Sequence, residues 1–64
     1  MHEIWEDGKK LNDAAPIGTV VEDDDGDMTV LKGDGSWVGE GAAPGEHFKQ
    51  FGPWRVLRWG FSVD

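Results

Sequence analysis

Short runs that alternate apolar and polar residues, separated by glycine-containing turns, fill the middle of the chain. Two such runs flank Asp25-Gly26, a dipeptide that favours the two-residue type I′ turn of a β-hairpin. A second dipeptide of this kind, Asp34-Gly35, separates the second run from a third. The pattern predicts an antiparallel three-stranded meander over residues 17–40.

The two turns also define a predicted register for the meander. Val21 should face Val30 across the first turn, and Leu31 should face Val38 across the second. In this register each face of the sheet carries apolar residues: Val20, Leu31 and Val38 on one face, and Ile17, Val21, Met28, Val30 and Trp37 on the other. Because both faces are apolar, a further element should cover the sheet.

The remainder of the chain predicts one short helix and one more strand. The helix is expected near residues 44–51, because Phe48 and Phe51 fall three apart on one side. A C-terminal strand is expected from residue 54 to about residue 62, with the apolar odd positions buried: Leu57, Trp59, Phe61 and Val63. The predicted fold is mostly β, a small α+β meander with a helix and a C-terminal strand, and a partly closed small barrel is the alternative.

Residues 1–15 carry weaker signals. Asp7-Gly8 would close a small edge hairpin between Ile4 and Leu11, or the segment would form a flexible arm. Residues 12–16 favour a loop, since Asn, Asp and Pro suit neither a helix nor a central strand.

Size and composition bound the fold further. Sixty-four residues without cysteine make one domain, 1–64, with no disulfide, and two histidines are too few for a zinc site. The four tryptophans and three phenylalanines must therefore supply much of the core. No apolar run approaches the roughly 20 residues of a membrane span, and no signal peptide is evident, so we expect a cytoplasmic protein with no membrane partner.

The charge is strongly acidic and uneven. Thirteen acidic and six basic residues give a net charge of −7, which makes nucleic acid an unfavourable partner. Four aspartates, the acidic tip, fall around the first turn: Asp23, Asp24, Asp25 and Asp27. An EF-hand calcium loop centred on Gly26 would place Val21 and Lys32 where carboxylates are required, so we predict no metal site. The acidic tip is either an ordinary solvated turn or a surface that docks on a basic partner or imitates DNA phosphates.

The segment Trp54-Arg55-Val56-Leu57-Arg58 offers a second candidate surface. Tryptophan and arginine are enriched at binding hot spots, so Trp54, Arg55 and Arg58 are predicted to contact a partner. Aromatic residues between arginines could instead stack on single-stranded nucleic acid. An alternating apolar strand at 54–63 could also pair with a second copy of the chain, which predicts a homodimer.

Catalytic chemistry is poorly represented. The chain has two serines, two threonines and two histidines, no cysteine or tyrosine, and no surrounding nucleophile motif. We therefore expect a binding protein without a cofactor rather than an enzyme.

Four blocks of sequence carry a resemblance: Pro16-Ile17-Gly18-Thr19-Val20-Val21, Asp25-Gly26-Asp27, Asp34-Gly35-Ser36-Trp37, and Phe51-Gly52-Pro53-Trp54-Arg55-Val56-Leu57. In this order and spacing the chain resembles small, functionally uncharacterised β-rich proteins of actinobacteriophages, of the mycobacteriophage type. The resemblance implies a phage origin and a β-rich fold. Because the chain also has the two candidate surfaces, we expect a phage accessory or regulatory protein that binds a protein, for example one of its bacterial host, and a nucleic-acid mimic or binder is the alternative. The resemblance supplies no site residues.

Overall fold

The computed structural model describes residues 3–45 and 52–61, which form one five-stranded antiparallel sheet and one helix. In chain order the elements are β1 (Glu3–Trp5), α1 (Gly8–Ala14), β2 (Val20–Glu22), β3 (Met28–Leu31), β4 (Trp37–Gly39) and β5 (Trp54–Arg58). The strand order across the sheet is β1-β5-β2-β3-β4. This confirms the mostly-β, small α+β prediction. The sheet is open, with β1 and β4 at its edges, so the barrel alternative is not adopted.

The three-stranded meander is present as β2, β3 and β4, but its register differs by one residue from the prediction. Val20 faces Val30 and Val21 faces Thr29, because the first loop has three residues rather than two. A type I′ turn needs positive φ at Asp25 as well as Gly26, which is costly for a residue with a Cβ. The three-residue loop needs it at the glycine alone, and Gly26 has φ +88°.

The second hairpin also has a three-residue loop with positive φ at a glycine. Gly35 has φ +86°, and the Lys32 N–H donates to the Ser36 carbonyl at 2.8 Å, so Leu31 faces Trp37 rather than Val38. The predicted division of residues between the faces was therefore wrong. Val20, Val30 and Val38 share one face of the sheet.

Strand β5 lies inside the sheet, between β1 and β2. The strand ends at Arg58 rather than near residue 62. Trp54 and Val56 are buried, whereas three residues predicted to be core are not: Leu57 is half-buried, Trp59 is 37% exposed and Phe61 is 76% exposed. Val63, the fourth, lies outside the described residues. The prediction had the buried side of this strand reversed. Because β5 pairs with a neighbour on each side, residues 54–58 are not free to pair as an edge strand with a second copy. The homodimer itself stays a prediction.

The N-terminal segment forms a helix, not the predicted hairpin. The Asp7 carboxylate accepts hydrogen bonds from the Lys9 and Lys10 N–H groups at 3.0 and 3.2 Å, which caps α1. The helix runs to Ala14, into the segment predicted as a loop. Of the helix predicted near 44–51, Pro44 and Gly45 are not helical and residues 46–51 lie outside the described residues.

The core lies between α1 and one face of the sheet. Its buried members are Leu11, Val21, Trp54 and Val56, with Trp5 and Trp37 packed against them. The Trp54 indole N–H donates to the Ala42 carbonyl at 2.9 Å, and that of Trp37 donates to Asn12 Oδ1 on α1 at 2.7 Å. Within the described ranges no helix is long and apolar enough to cross a membrane.

Candidate functional site

The acidic tip is held in shape by one of its own aspartates. Asp23 Oδ1 accepts hydrogen bonds from the Asp25 and Asp27 N–H groups at 2.9 and 3.0 Å. Its Oδ2 accepts from the Ala42 N–H at 2.9 Å, which anchors the segment after β4 to the tip. Asp23 is thus half-buried and has a structural role. Its hydrogen bonds fix the loop conformation before any partner binds.

The electrostatics of Asp23 agree with this geometry. Partial desolvation is the largest single influence and raises its pKa, but hydrogen bonds from the backbone of Ala42, Asp27, Asp25 and Gly26 together outweigh it. The net effect lowers the pKa of Asp23 below its ordinary value of 3.8. The folded protein therefore favours the charged form of this residue.

Replacing Asp23 by alanine should lower the free energy of unfolding by about 1 kcal/mol at neutral pH, because several loop N–H groups lose their acceptor. Since the folded pKa is depressed, this contribution is complete above the ordinary value and disappears as pH falls through the folded value. Urea denaturation of wild type and variant between about pH 6 and pH 2 should show the two stabilities converging. Asp25→Ala is the matched control, with an exposed tip carboxylate. An equal loss in both variants at neutral pH would contradict the structural role of Asp23.

The other three aspartates of the acidic tip face solvent. Asp24, Asp25 and Asp27 are exposed, and carboxylate oxygens of Asp23, Asp25 and Asp27 lie within 4.8 Å of one another. Like charges at this separation concentrate negative potential at the end of the hairpin. The tip can therefore attract a cationic group, as its composition predicts.

The three residues of β5 that were predicted to contact a partner lie in different environments. Trp54 is fully buried, so the prediction that it contributes to a partner surface was wrong, because it faces α1 and the core. Arg55 points to the opposite side and forms a salt bridge with Glu22 at 3.3 Å. Arg58 is exposed, and its guanidinium donates to the Gly18 carbonyl at 3.2 Å.

Strand pairing brings Arg55 to the base of the acidic tip, so the two predicted surfaces meet. Between them lies a shallow cavity of about 140 Å³ lined by Ile4, Glu22, Asp23, Asp24, Gly26, Pro53 and Arg55. Sequence reasoning missed Ile4 and Pro53 as neighbours of the tip. The residues that surround the cavity come from β1, the β2–β3 hairpin and β5, and no local pattern predicts that arrangement.

The fold and this surface define a small open-sheet α+β protein with an ordered acidic hairpin beside an amphipathic cavity. No protein-family model, curated protein or solved structure matches the chain.

Proposed function

We propose that this protein is a non-enzymatic bacteriophage accessory or regulatory protein that binds a basic surface of a host protein through its acidic tip. One observation carries the proposal: three exposed carboxylates, of Asp24, Asp25 and Asp27, stand on a loop that Asp23 holds in one conformation. Such a surface is charged, protruding and ordered.

The fixed conformation of the loop favours binding, because a mobile loop would lose conformational entropy when a partner binds. The Asp23 hydrogen bonds to Asp25, Asp27 and Ala42 remove much of that cost in the free protein. The net charge of −7 adds long-range attraction to a cationic partner and raises the association rate.

The acidic tip is favoured over the C-terminal strand as the contact. Trp54 is buried and the Arg55 guanidinium is already paired with Glu22. Binding of single-stranded nucleic acid through this strand would need an exposed aromatic residue beside unpaired arginines. Trp54 and Arg55 do not provide that combination. Arg58, Trp59 and Phe61 are exposed, but the net charge of −7 opposes a polyanion, which favours a protein partner.

The test is capture of a host protein by the tagged chain from an actinobacterial lysate, with nuclease treatment, followed by kinetics on the purified partner. The double variant Asp24→Asn with Asp25→Asn should slow association about threefold or more at low salt, because two tip charges are lost. The difference should shrink as salt is added.

The matched control is Asp34→Asn with Glu40→Gln, which removes the same charge from exposed positions outside the acidic tip. It should change the association rate much less. Equal slowing in both double variants would reduce the role of the tip to net charge. Recovery that nuclease abolishes would replace the proposal with nucleic acid binding.

A further inference from the structure

The face of the sheet opposite α1 carries apolar side chains that remain in contact with solvent. Pairing of β1, β5, β2 and β3 aligns one row of residues across this open face: Ile4, Arg55, Glu22 and Met28. A second row follows along the strands: Arg58, Val20, Val30 and Val38. Ile4, Met28 and Val38 are 60%, 56% and 52% exposed. Three large apolar side chains more than half exposed on one face of so small a domain indicate an interaction surface.

The open face is continuous with the acidic tip. Ile4, Glu22 and Arg55 belong to the first row and also line the cavity, whose other wall contains Asp23 and Asp24. The Arg55–Glu22 salt bridge lies between Ile4 and Met28 in the row. The open face therefore places apolar side chains on both sides of this ion pair, next to a cavity whose lining carries a net negative charge.

We propose that the open face and the acidic tip together bind a basic amphipathic peptide segment of the partner protein, which deepens the function proposed above and rests on it. The apolar side chains of the segment pack on Ile4, Met28 and Val38. A lysine or arginine of the segment enters the cavity, with its aliphatic stem along Ile4 and its charged end near Glu22 and Asp24.

Charge selects this occupant from the alternatives. A second copy would bring another −7 against the acidic tip, and an anionic lipid surface or a nucleic acid would be repelled in the same way. A basic partner without apolar residues would leave Ile4 and Met28 in water. A segment with both properties satisfies the two parts of the surface at once.

The probes are three short synthetic peptides: alternating Lys and Leu, lysine alone, and alternating Glu and Leu. Fluorescence anisotropy should show the Lys–Leu peptide binding about tenfold more tightly than oligolysine. Burial of a small apolar area of the leucine side chains on the open face is enough to produce a difference of this size. Methyl NMR should place its shifts at Ile4, Met28 and Val38. The Glu–Leu peptide should bind far more weakly than either.

Two variants separate the contributions of the surface. Ile4→Thr with Met28→Thr keeps strand-forming side chains and should bring Lys–Leu affinity down to the level of oligolysine. Asp24→Asn should weaken both basic peptides, whereas Asp34→Asn, an equal charge change on the loop at the other end of β3, should not. Thermal melts check the fold, and Val38→Thr replaces the double variant if that one fails to fold.

The outcomes also separate this inference from the proposed function. Equal affinity for Lys–Leu and oligolysine, both weakened by Asp24→Asn, would overturn the apolar docking face and leave the acidic tip in place. Equal binding of the Glu–Leu peptide would overturn the charge argument for both. Binding by neither basic peptide would overturn the amphipathic segment, and host-protein capture would then decide the proposed function independently.

Discussion

Replacing Gly8 by alanine should destabilise the protein by about 1–3 kcal/mol, the usual cost of forcing an extra methyl group into a packed site. A Cβ on Gly8 would lie 2.8 Å from two ring atoms of Trp54 and 3.0 Å from the Gly45 nitrogen. Helix propensity alone predicts the opposite sign, a gain of up to about 1 kcal/mol for Gly→Ala inside a helix. Urea denaturation gives the sign directly.

Two comparisons identify the cause. Lys10→Ala, on an exposed position of the same helix, should change stability very little. In a Trp54→Phe background the shorter ring relieves the contact, so Gly8→Ala should cost less there than in the wild type, a coupling that a double-mutant cycle measures. A gain in stability from Gly8→Ala in the wild type would show that the Trp54 site is loosely packed.

The second large effect is expected at Thr19, one of two buried threonines with opposite surroundings. Thr19 Oγ1 donates to the Pro16 carbonyl at 2.7 Å and accepts from the Gly60 N–H at 2.9 Å. Thr19→Val removes both bonds and should cost about 1–3 kcal/mol, because the part-buried Gly60 N–H loses its acceptor. The Pro16 carbonyl keeps the Thr19 N–H as a donor at 3.2 Å. The measurement is the shift in urea midpoint.

Thr29→Val is the matched control, with the same change of atoms at a site that is 1% exposed. Among the described residues, Thr29 Oγ1 is a buried side-chain oxygen without a hydrogen-bond partner. Replacing it with a methyl group should leave stability unchanged or raise it, since a desolvated hydroxyl is lost. Similar losses in the two variants would show that the hydroxyl of Thr29 is hydrogen-bonded in solution.

Sequence reasoning recovered the strands of the meander because alternation and glycine turns are local signals. The register was wrong because Asp25-Gly26 is compatible with two loop lengths. The longer loop leaves positive φ to Gly26 alone, and the Asp23 carboxylate accepts hydrogen bonds from Asp25 and Asp27 within it. Helix α1 was missed because its seven residues contribute a single buried aliphatic side chain, Leu11, too few for a helical period.

Long-range pairing explains the remaining errors. The alternation in residues 54–63 marks two faces but does not say which is buried; the choice depends on α1 packing over Trp54 and Val56. The acidic tip was predictable from composition, whereas the cavity was not, since Ile4 and Arg55 become neighbours through the pairing of β1 with β5. Residues as far apart in the chain as Ile4 and Arg55 leave no periodic pattern in the sequence when they pair.

The position of β5 inside the sheet, between β1 and β2, has a consequence for how the protein is made. Residues 20–39 can form their two hairpins as soon as they leave the ribosome, because their contacts are local. β1 and α1 are synthesised earlier, yet they must wait for residues 54–58, since β1 pairs with β5 and α1 packs on Trp54. Until then Leu11 and Val21 lack their core partners Trp54 and Val56, so both side chains stay accessible until β5 is inserted.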